Sequence, residues 1–485
     1  MPLFRHVRGC AKAYLICSAL LTGCSSTSKQ ASVALHDAPV LKAPPLTTTE
    51  KAATGSGHAA PSTSATIRTV SHVEPADETA MAASDGSDLF SGQIELSLPQ
   101  LIDEVRRRNP SLQAALSAYG VAIERCPQVS ALEDPTLQTM AAPSTFWPNN
   151  QKSYVLAVGQ KVPWGDKREL RGQAAQWAAV AASFDHADLQ LRLTEAARLA
   201  YFDYYFVLRQ RELNDANLQA VETYRDTAKS KFEASQVTQQ DMLQAEVELA
   251  RLEQRRVEID QAYEVTTAKI NLLLHREPHL PLPLPPRQLT ASAPRYDVAE
   301  LRHAALEQRP DLAAMAARIQ SEQSALALAN QEYYPDFEVM GKYDTFWTDA
   351  NQRSQIALNL IVPIYQEKRH AAVREAMFRV NKLQSEYERE VDLVKNEVQT
   401  AHARSEASRR TLKVFENKLL PATEANVSAA ASGYTAGTVD FLRLVQAQRE
   451  FLELNEKYQQ AIVEFHRNQA ELDRVVATPV VNVSP

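Results

Sequence analysis

Residues 162–168 read VPWGDKR, and residues 362–369 read VPIYQEKR. The same phrase written twice sets the frame for the rest of the chain, because other landmarks return at nearly the same distance. Asn109-Pro110-Ser111-Leu112 returns as Arg309-Pro310-Asp311-Leu312, Pro135 as Pro335, and Thr145-Phe146-Trp147 as Thr345-Phe346-Trp347. Beyond the second phrase the spacing grows by two residues, so that Val237, Gln244 and Ala245 lie over Val439, Gln446 and Ala447. Ordered landmarks at one spacing imply an internal duplication, and a period this long implies a large folding unit in place of a stackable solenoid repeat.

Within each half the hydrophobic period changes. A helical pattern runs from about Leu98 through Leu101, Val105, Leu112 and Leu116, punctuated at its end by Pro127 and Pro135. Its counterpart runs from about Val298 through Leu301, Ala305, Leu312, Ile319 and Leu326 to Pro335. After each of those prolines the period becomes two. Phe337, Val339, Gly341 and Tyr343 alternate with polar neighbours, as do Ile356, Leu358, Leu360 and Val362. The first half gives Tyr154, Leu156 and Val158, preceded by a weaker strand at about 136–142. Each half is therefore expected to hold a β-hairpin closed by Val-Pro. Trp147 and Trp347 fall just beyond the first strand of each hairpin, where a membrane barrel carries its interfacial aromatics.

Behind each hairpin the chain reads as a long helix pair, from about 166 to 230 and back to 273, and from about 366 to 432 and back to 476. Only 13 glycines in 485 residues agree with a chain spent mostly in helix. A helix of some 65 residues is about 100 Å long at about 1.5 Å per residue, so it needs lengthwise neighbours. The returning helices show the seam. Met242, Ala245, Leu249, Leu252, Arg256, Ile259, Tyr263, Thr266, Ile270 and Leu273 alternate by three and four, and the positions 202 further on do the same from Leu444 to Val475. This is the heptad spacing of coiled-coil packing.

The N-terminus reads as address, not fold. Arg5, Arg8 and Lys12 precede the short apolar run Ala13 to Leu21, a secretory signal in pattern. Leu21-Thr22-Gly23-Cys24 resembles a bacterial lipobox, which implies cleavage after residue 23, acylation of Cys24 and, with Ser25 following, sorting to the outer membrane. Residues 25–88 are rich in Ser, Thr, Ala and Pro without apolar period, the composition of a flexible tether. The expected organisation is signal 1–23, lipidated N-terminus and tether 24–90, first repeat 91–285, second repeat 286–478 and a tail 479–485. Cys126 alone then remains as a free thiol, without a disulfide partner.

A net charge of −7 argues against nucleic acid as a partner. There is no phosphate loop and no nucleophile motif, and no cofactor, metal site or enzymatic activity is expected. His275 and His279 are four apart, but Pro278 and Pro281 place them in a linker and not on a helix face.

Two hairpins give four strands, and four strands cannot close a barrel. An open edge in lipid leaves backbone groups unpaired at several kcal/mol each. If the hairpins enter a membrane, copies must pool them; three would supply twelve strands, an even number in the bacterial range. The long helices would then continue as a tube into the periplasm, with VPWGDKR and VPIYQEKR marking the exits from strand to helix.

At this point the chain resembles the TolC-type outer-membrane efflux protein family over about residues 95–478. The closest local match is Gly433-Tyr434-Thr435-Ala436-Gly437-Thr438-Val439-Asp440-Phe441-Leu442, followed by Val445-Gln446-Ala447-Gln448-Arg449. In the family the corresponding stretch forms a helical hairpin at the periplasmic tip. The resemblance implies an α+β, mostly α fold: long coiled-coil helical hairpins and two β-hairpins per chain, with an internal two-fold repeat. A homotrimeric twelve-stranded barrel in outer-membrane lipid would be joined to a helical periplasmic tunnel. It also implies a periplasmic adaptor and an inner-membrane pump as partners, often of the resistance–nodulation–division class. QKVPWGDKREL further resembles the lipoprotein branch that serves heavy-metal pumps. Where the family phrase commonly has Asp, this chain has Gln446, with Gln244 its counterpart in the first half. Negative charge at the tip would then fall to Asp440, Asp241 or Glu246, Tyr434 matches a position near the constriction, and Arg443 with Asp241 suggests a closing ion pair. Two other readings stand beside the efflux duct: a duct for type I protein secretion, and a lipid-anchored periplasmic coiled-coil adaptor or scaffold.

Overall fold

The computed structural model describes residues 89–90, 95–142, 153–235, 237–290 and 296–477. The signal, Cys24, the tether, Trp147 and the 479–485 tail lie outside the described residues.

One order of elements occurs twice. The first half runs α1 (Leu98–Arg108), α2 (Pro110–Ser130), β1 (Thr136–Ala141), β2 (Tyr154–Val162), α3 (Lys167–Glu233) and α4 (Gln239–Leu273). The second runs α5 (Val298–Gln308), α6 (Pro310–Gln331), β3 (Asp336–Asp344), β4 (Ser354–Ile361), α7 (Gln366–Val414), a π turn (Phe415–Leu419), α8 (Leu420–Thr435) and α9 (Phe441–Val476).

Three helices differ from the sequence expectation. The pattern read as one helix from Leu98 is two, broken at Asn109, and its counterpart is broken at Arg309. Both break residues are extended, with ψ of 120° and 123°, because the proline that follows disfavours the α region before it. Proline then opens the next helix at a position where its missing N–H costs nothing. Asn109 also caps α2, its side chain accepting from the Ser111 N–H at 3.0 Å. The second long helix, expected as one piece, is interrupted by the π turn, whereas α3 is unbroken through its 67 residues. The reason is visible in the landmarks. Val162 and Val362 differ by 200, but Ala245 and Ala447 by 202; one of the two extra residues falls in VPIYQEKR, and α7–α8 must hold the other where no loop exists. An inserted residue turns everything beyond it by about 100° in an α-helix, and a π turn takes one up by widening.

The four long helices lie in the order α4, α3, α9, α7–α8. The seam expected on α4 faces inward at Ala245, Leu252, Ile259, Thr266 and Ile270, and the one on α9 at Leu444, Ala447, Phe465, Asn468, Leu472 and Val475. Arg256, the charged member of the seam on α4, is exposed and pairs with Asp215 of α3 at 3.6 Å. The largest core joins Phe90, Leu96, Leu101 and Val105 to Tyr201, Tyr204 and Tyr205 of α3, Ile270, and Val463 and Ala470 of α9. A second core packs Val394, Val398 and Ala401 of α7 against Leu472, Val475 and Val476 of α9. Burial of each such Val or Leu contributes about 1.5–3 kcal/mol. Cross-helix ion pairs set the sliding register of α3 on α9: Arg198 with Asp473 at 2.5 Å, Arg474 with Glu195 at 2.8 Å, and Arg467 with Asp203.

Candidate functional site

Two regions carry the chemistry, a sheet at one end of the helices and the pair of hairpin turns at the other.

The strands form one antiparallel sheet in the order β1-β2-β3-β4. Leu137 lies opposite Val158, Val158 opposite Gly341, and Gly341 opposite Ile356. Because partners share a face and side chains alternate, one face collects Leu137, Tyr154, Leu156, Val158, Val162, Phe337, Val339, Tyr343, Ile356, Leu358 and Leu360. The charged residues of the strands, Lys161, Asp336, Glu338, Lys342 and Asp344, all lie on the opposite face. The apolar face is bare: Ile356 is 89% exposed and Leu358 66%. Such a surface on a lone water-soluble chain is a liability. The polar face is instead knitted by hydrogen bonds and ion pairs, Asn359 Nδ2 donating to Glu338 Oε2 at 3.1 Å and Lys342 pairing with Asp344 at 2.8 Å. β1 and β4 are edge strands with no further partner among the described residues. Trp347 lies in the β3–β4 connection, half-exposed, with its carbonyl accepting from Arg353 Nε at 3.1 Å.

The phrase VPWGDKR does its work at the base of this sheet. Lys167 opens α3, and its side chain is 1% exposed. Its ammonium donates to Asp336 Oδ1 at 2.8 Å and to the Tyr334 carbonyl at 2.9 Å. The Trp164 N–H donates to the same Asp336 oxygen at 3.0 Å, and the Trp164 ring packs on Phe337 with centroids 4.9 Å apart. The exit of β2 is thereby locked to the start of β3.

At the other end, Tyr434 is buried with Ala228 of α3, Ala245 of α4 and Phe441, Leu444 and Val445 of α9. Burial raises its phenol pKa, and the nearby Asp241 carboxylate adds to the rise. The Tyr434 hydroxyl has no hydrogen-bond partner within the described residues. Lys231, at the end of α3, donates to the Tyr434 carbonyl and lies 4.3 Å from the centre of its ring. The turn that follows depends on two glycines. Gly437 has φ +75°, and a Cβ on Gly433 would come 2.5 Å from Val439 Cγ2. Ser235 holds the equivalent turn of the first hairpin at φ 59°, a conformation costly for a residue with a side chain. Asp440 caps α9, accepting from the Arg443 N–H at 2.9 Å.

Lys231, Asp241, Tyr434, Gly437, Asp440 and Arg443 line one open cleft of about 520 Å³. The expected Arg443–Asp241 ion pair is not formed within the chain. Arg443 is exposed and its carboxylate neighbour is Asp440 at 3.9 Å, because both sit in the first turn of α9. Asp241 accepts from Thr238 Oγ1 at 3.4 Å instead. Gln446 is exposed beside Asn426 and Glu450, and Gln244 is half-buried. The single-chain cleft thus holds both signs of charge. His275, left-handed at the end of α4, and His279 are both exposed.

Two features escaped the sequence reading. Gln448 is buried, its Nε2 donating to Asn217 Oδ1 at 2.7 Å and its Oε1 accepting from Tyr224, a polar tie between α9 and α3. More telling is a second stripe on α4, opposite the first: Leu243, Val247, Ala250, Gln254, Val257, Gln261, Val265, Ala268 and Leu272. Val257 is 70% exposed and Leu272 75%. The same spacing of three and four could have revealed it. α4 is an edge helix, so this face has no neighbour among the described residues.

Residues 301–478 match the family model described as outer membrane efflux protein. The cobalt-zinc-cadmium resistance protein CzcC of Cupriavidus metallidurans is 26% identical over 190 residues, which span 38% of this chain and 44% of that relative's length. Among solved structures, the outer-membrane channel OprN superposes with a TM-score of 0.67 at 20% identity, over 80% of this chain and 91% of that one. The outer membrane protein VceC of Vibrio cholerae gives 0.68 at 16% identity, over 79% and 97%.

Proposed function

We propose that the chain is a member of the outer membrane efflux protein family and the exit duct of a tripartite efflux assembly, a reading supported by the family model matched over residues 301–478, the likeness to CzcC and the fold shared with OprN. Three copies pool four strands each into a twelve-stranded barrel, and their long helices continue as a tunnel through the periplasm. The two halves of the chain, 91–285 and 286–478, are duplicated units, and acylated Cys24 anchors the mature protein to outer-membrane lipid. The observation that carries this reading is the sheet, with one bare apolar face, all its charge on the other, and two open edges. That pattern suits a wall between lipid and water and leaves a lone chain unsatisfied. The second stripe on α4 supports it independently, since it calls for a helix from another copy.

Transport through such a duct is passive. An inner-membrane pump, of the resistance–nodulation–division class, supplies the energy, and a periplasmic adaptor meets the hairpin tips around Tyr434 and Asp241. Likeness to CzcC favours metal ions as cargo. The test is a deletion strain challenged with cobalt, zinc and cadmium salts, dyes and antibiotics. Selective loss of metal tolerance, restored by the intact gene, supports the assignment; unchanged tolerance to metals and drugs alike rejects it.

A further inference from the structure

Resting on the proposed duplication and assembly, we infer the register in which β4 of one copy meets β1 of the next, and a charge pair, Lys368 with Asp134, that fixes it. Within the chain, β2 meets β3 with Val162 opposite Phe337, Gln160 opposite Val339 and Val158 opposite Gly341. At the ends of the strands that enter and leave the helices, counterparts lie 200 residues apart, as Pro135 and Pro335 or Val162 and Val362 do; the hairpin pairings differ by two residues, Thr136 lying opposite Gly159 but Asp336 opposite Ile361, so the transfer is anchored on those ends. Carrying the internal seam across therefore places Val362 opposite Leu137 of the next copy, Leu360 opposite Thr139, and Leu358 opposite Ala141.

This transfer could have failed a check that it passes. Leu358 and Leu360 lie on the apolar face of their own sheet, and so do Leu137, Thr139 and Ala141. In the transferred register the apolar face stays continuous across the seam. A slip of one residue would bring every β4 side chain opposite one from the wrong face.

The knot beneath the internal seam carries over as well. VPIYQEKR has one residue more than VPWGDKR, so Lys368 stands where Lys167 does. Lys167 reaches the carbonyl of Tyr334, whose counterpart is Asp134. Both Lys368 and Asp134 are exposed, and neither has a hydrogen-bond or ion-pair partner among the described residues. The acid that Lys167 finds at Asp336 becomes Thr136 in the first half, and Asp134 supplies the missing charge two positions earlier. Apolar surface agrees. Trp164 covers Phe337 within the chain, while Ile364, 70% exposed, and Leu137, 66% exposed, wait uncovered on the two free edges.

The test is disulfide trapping in outer-membrane extracts of the full-length protein carrying Cys126→Ser. Thr139→Cys with Leu360→Cys is expected to give covalent dimers and trimers on a denaturing, non-reducing gel. Met140→Cys with Leu360→Cys, one residue out and on the opposite face, is expected to give at least tenfold less. Gln160→Cys with Val339→Cys, the same pairing inside the chain, checks that the geometry is oxidisable. Equal trapping of the 139 and 140 pairs, or none at 139 when the internal pair closes, overturns the register. Lys368→Glu is expected to lower the fraction of SDS-resistant assembly severalfold, and adding Asp134→Lys to restore it; a double variant no better than the single overturns the charge pair. Failure of the parent protein to form any SDS-resistant assembly would instead reject the proposed function, so the two failures are distinguishable.

Discussion

Leu358→Lys is the sharpest single perturbation of the sheet. Leu358 is the fifth residue of eight in β4, opposite Val339, and its side chain stands 66% exposed on the apolar face. In a water-soluble chain a lysine at so exposed a position would change stability by less than about 0.5 kcal/mol. In a barrel the same face meets hydrocarbon, and near the bilayer midplane a lysine costs about 2–4 kcal/mol per chain. Asn359→Lys is the control: one residue on, it faces the polar side beside Glu338, 3.1 Å away, and is expected to be neutral within about 0.5 kcal/mol. The assay is urea titration of protein refolded into lipid vesicles, followed by tryptophan fluorescence and by heat-modifiable migration on gels. Leu358→Lys should shift the midpoint strongly while Asn359→Lys does not. Equal behaviour of the two variants would refute the assignment of this face to lipid.

Val257→Asp on the second stripe of α4 is expected to abolish the SDS-resistant assembly, at about 3–5 kcal/mol per unpaired buried carboxylate, while the helical circular dichroism of the chain is retained. Gly433→Ala should destabilise the tip turn by about 1–3 kcal/mol, read as faster proteolysis between α8 and α9, because its methyl would meet Val439. His466 is buried and stacked on Phe202 with ring centroids 5.1 Å apart, and burial pushes its pKa from 6.5 down to about 4. The unfolded chain therefore binds the extra proton between those values. Stability is complete above about pH 6.5 and falls by about 3 kcal/mol as the pH drops to about 4. Denaturation at pH 7.5 and 5.0 should show about 2 kcal/mol of that loss in the parent and a smaller one in His466→Phe.

The alternation in β2–β4 and the heptads of α4 and α9 were legible because each buries or exposes one face at a fixed period. Leu156, Val158, Leu358 and Leu360 fall on the face their spacing assigns, and the tip turn sits at Gly433–Val439. The breaks at Asn109 and Arg309 were written in the prolines that follow them but were outweighed by an apolar pattern running across the break. The π turn was less accessible. It follows from comparing two helices at matching places in the order of elements, not from any residue within one of them. Arg443 and Asp241 were paired from sequence because both are charged and equivalent in position. The nearer Asp440, in the same helical turn, takes the arginine instead. The knot at Lys167 depends on a carbonyl and a carboxylate 167 and 169 residues away, contacts that no local pattern announces.

The most direct measurement is the native mass of the particle extracted from outer membranes in mild detergent. Three chains per particle, separating into single chains only on boiling, is the expected result. A single chain, released from the membrane by a salt wash and stable in water, would contradict the claim that open-edged sheets from several copies build one wall.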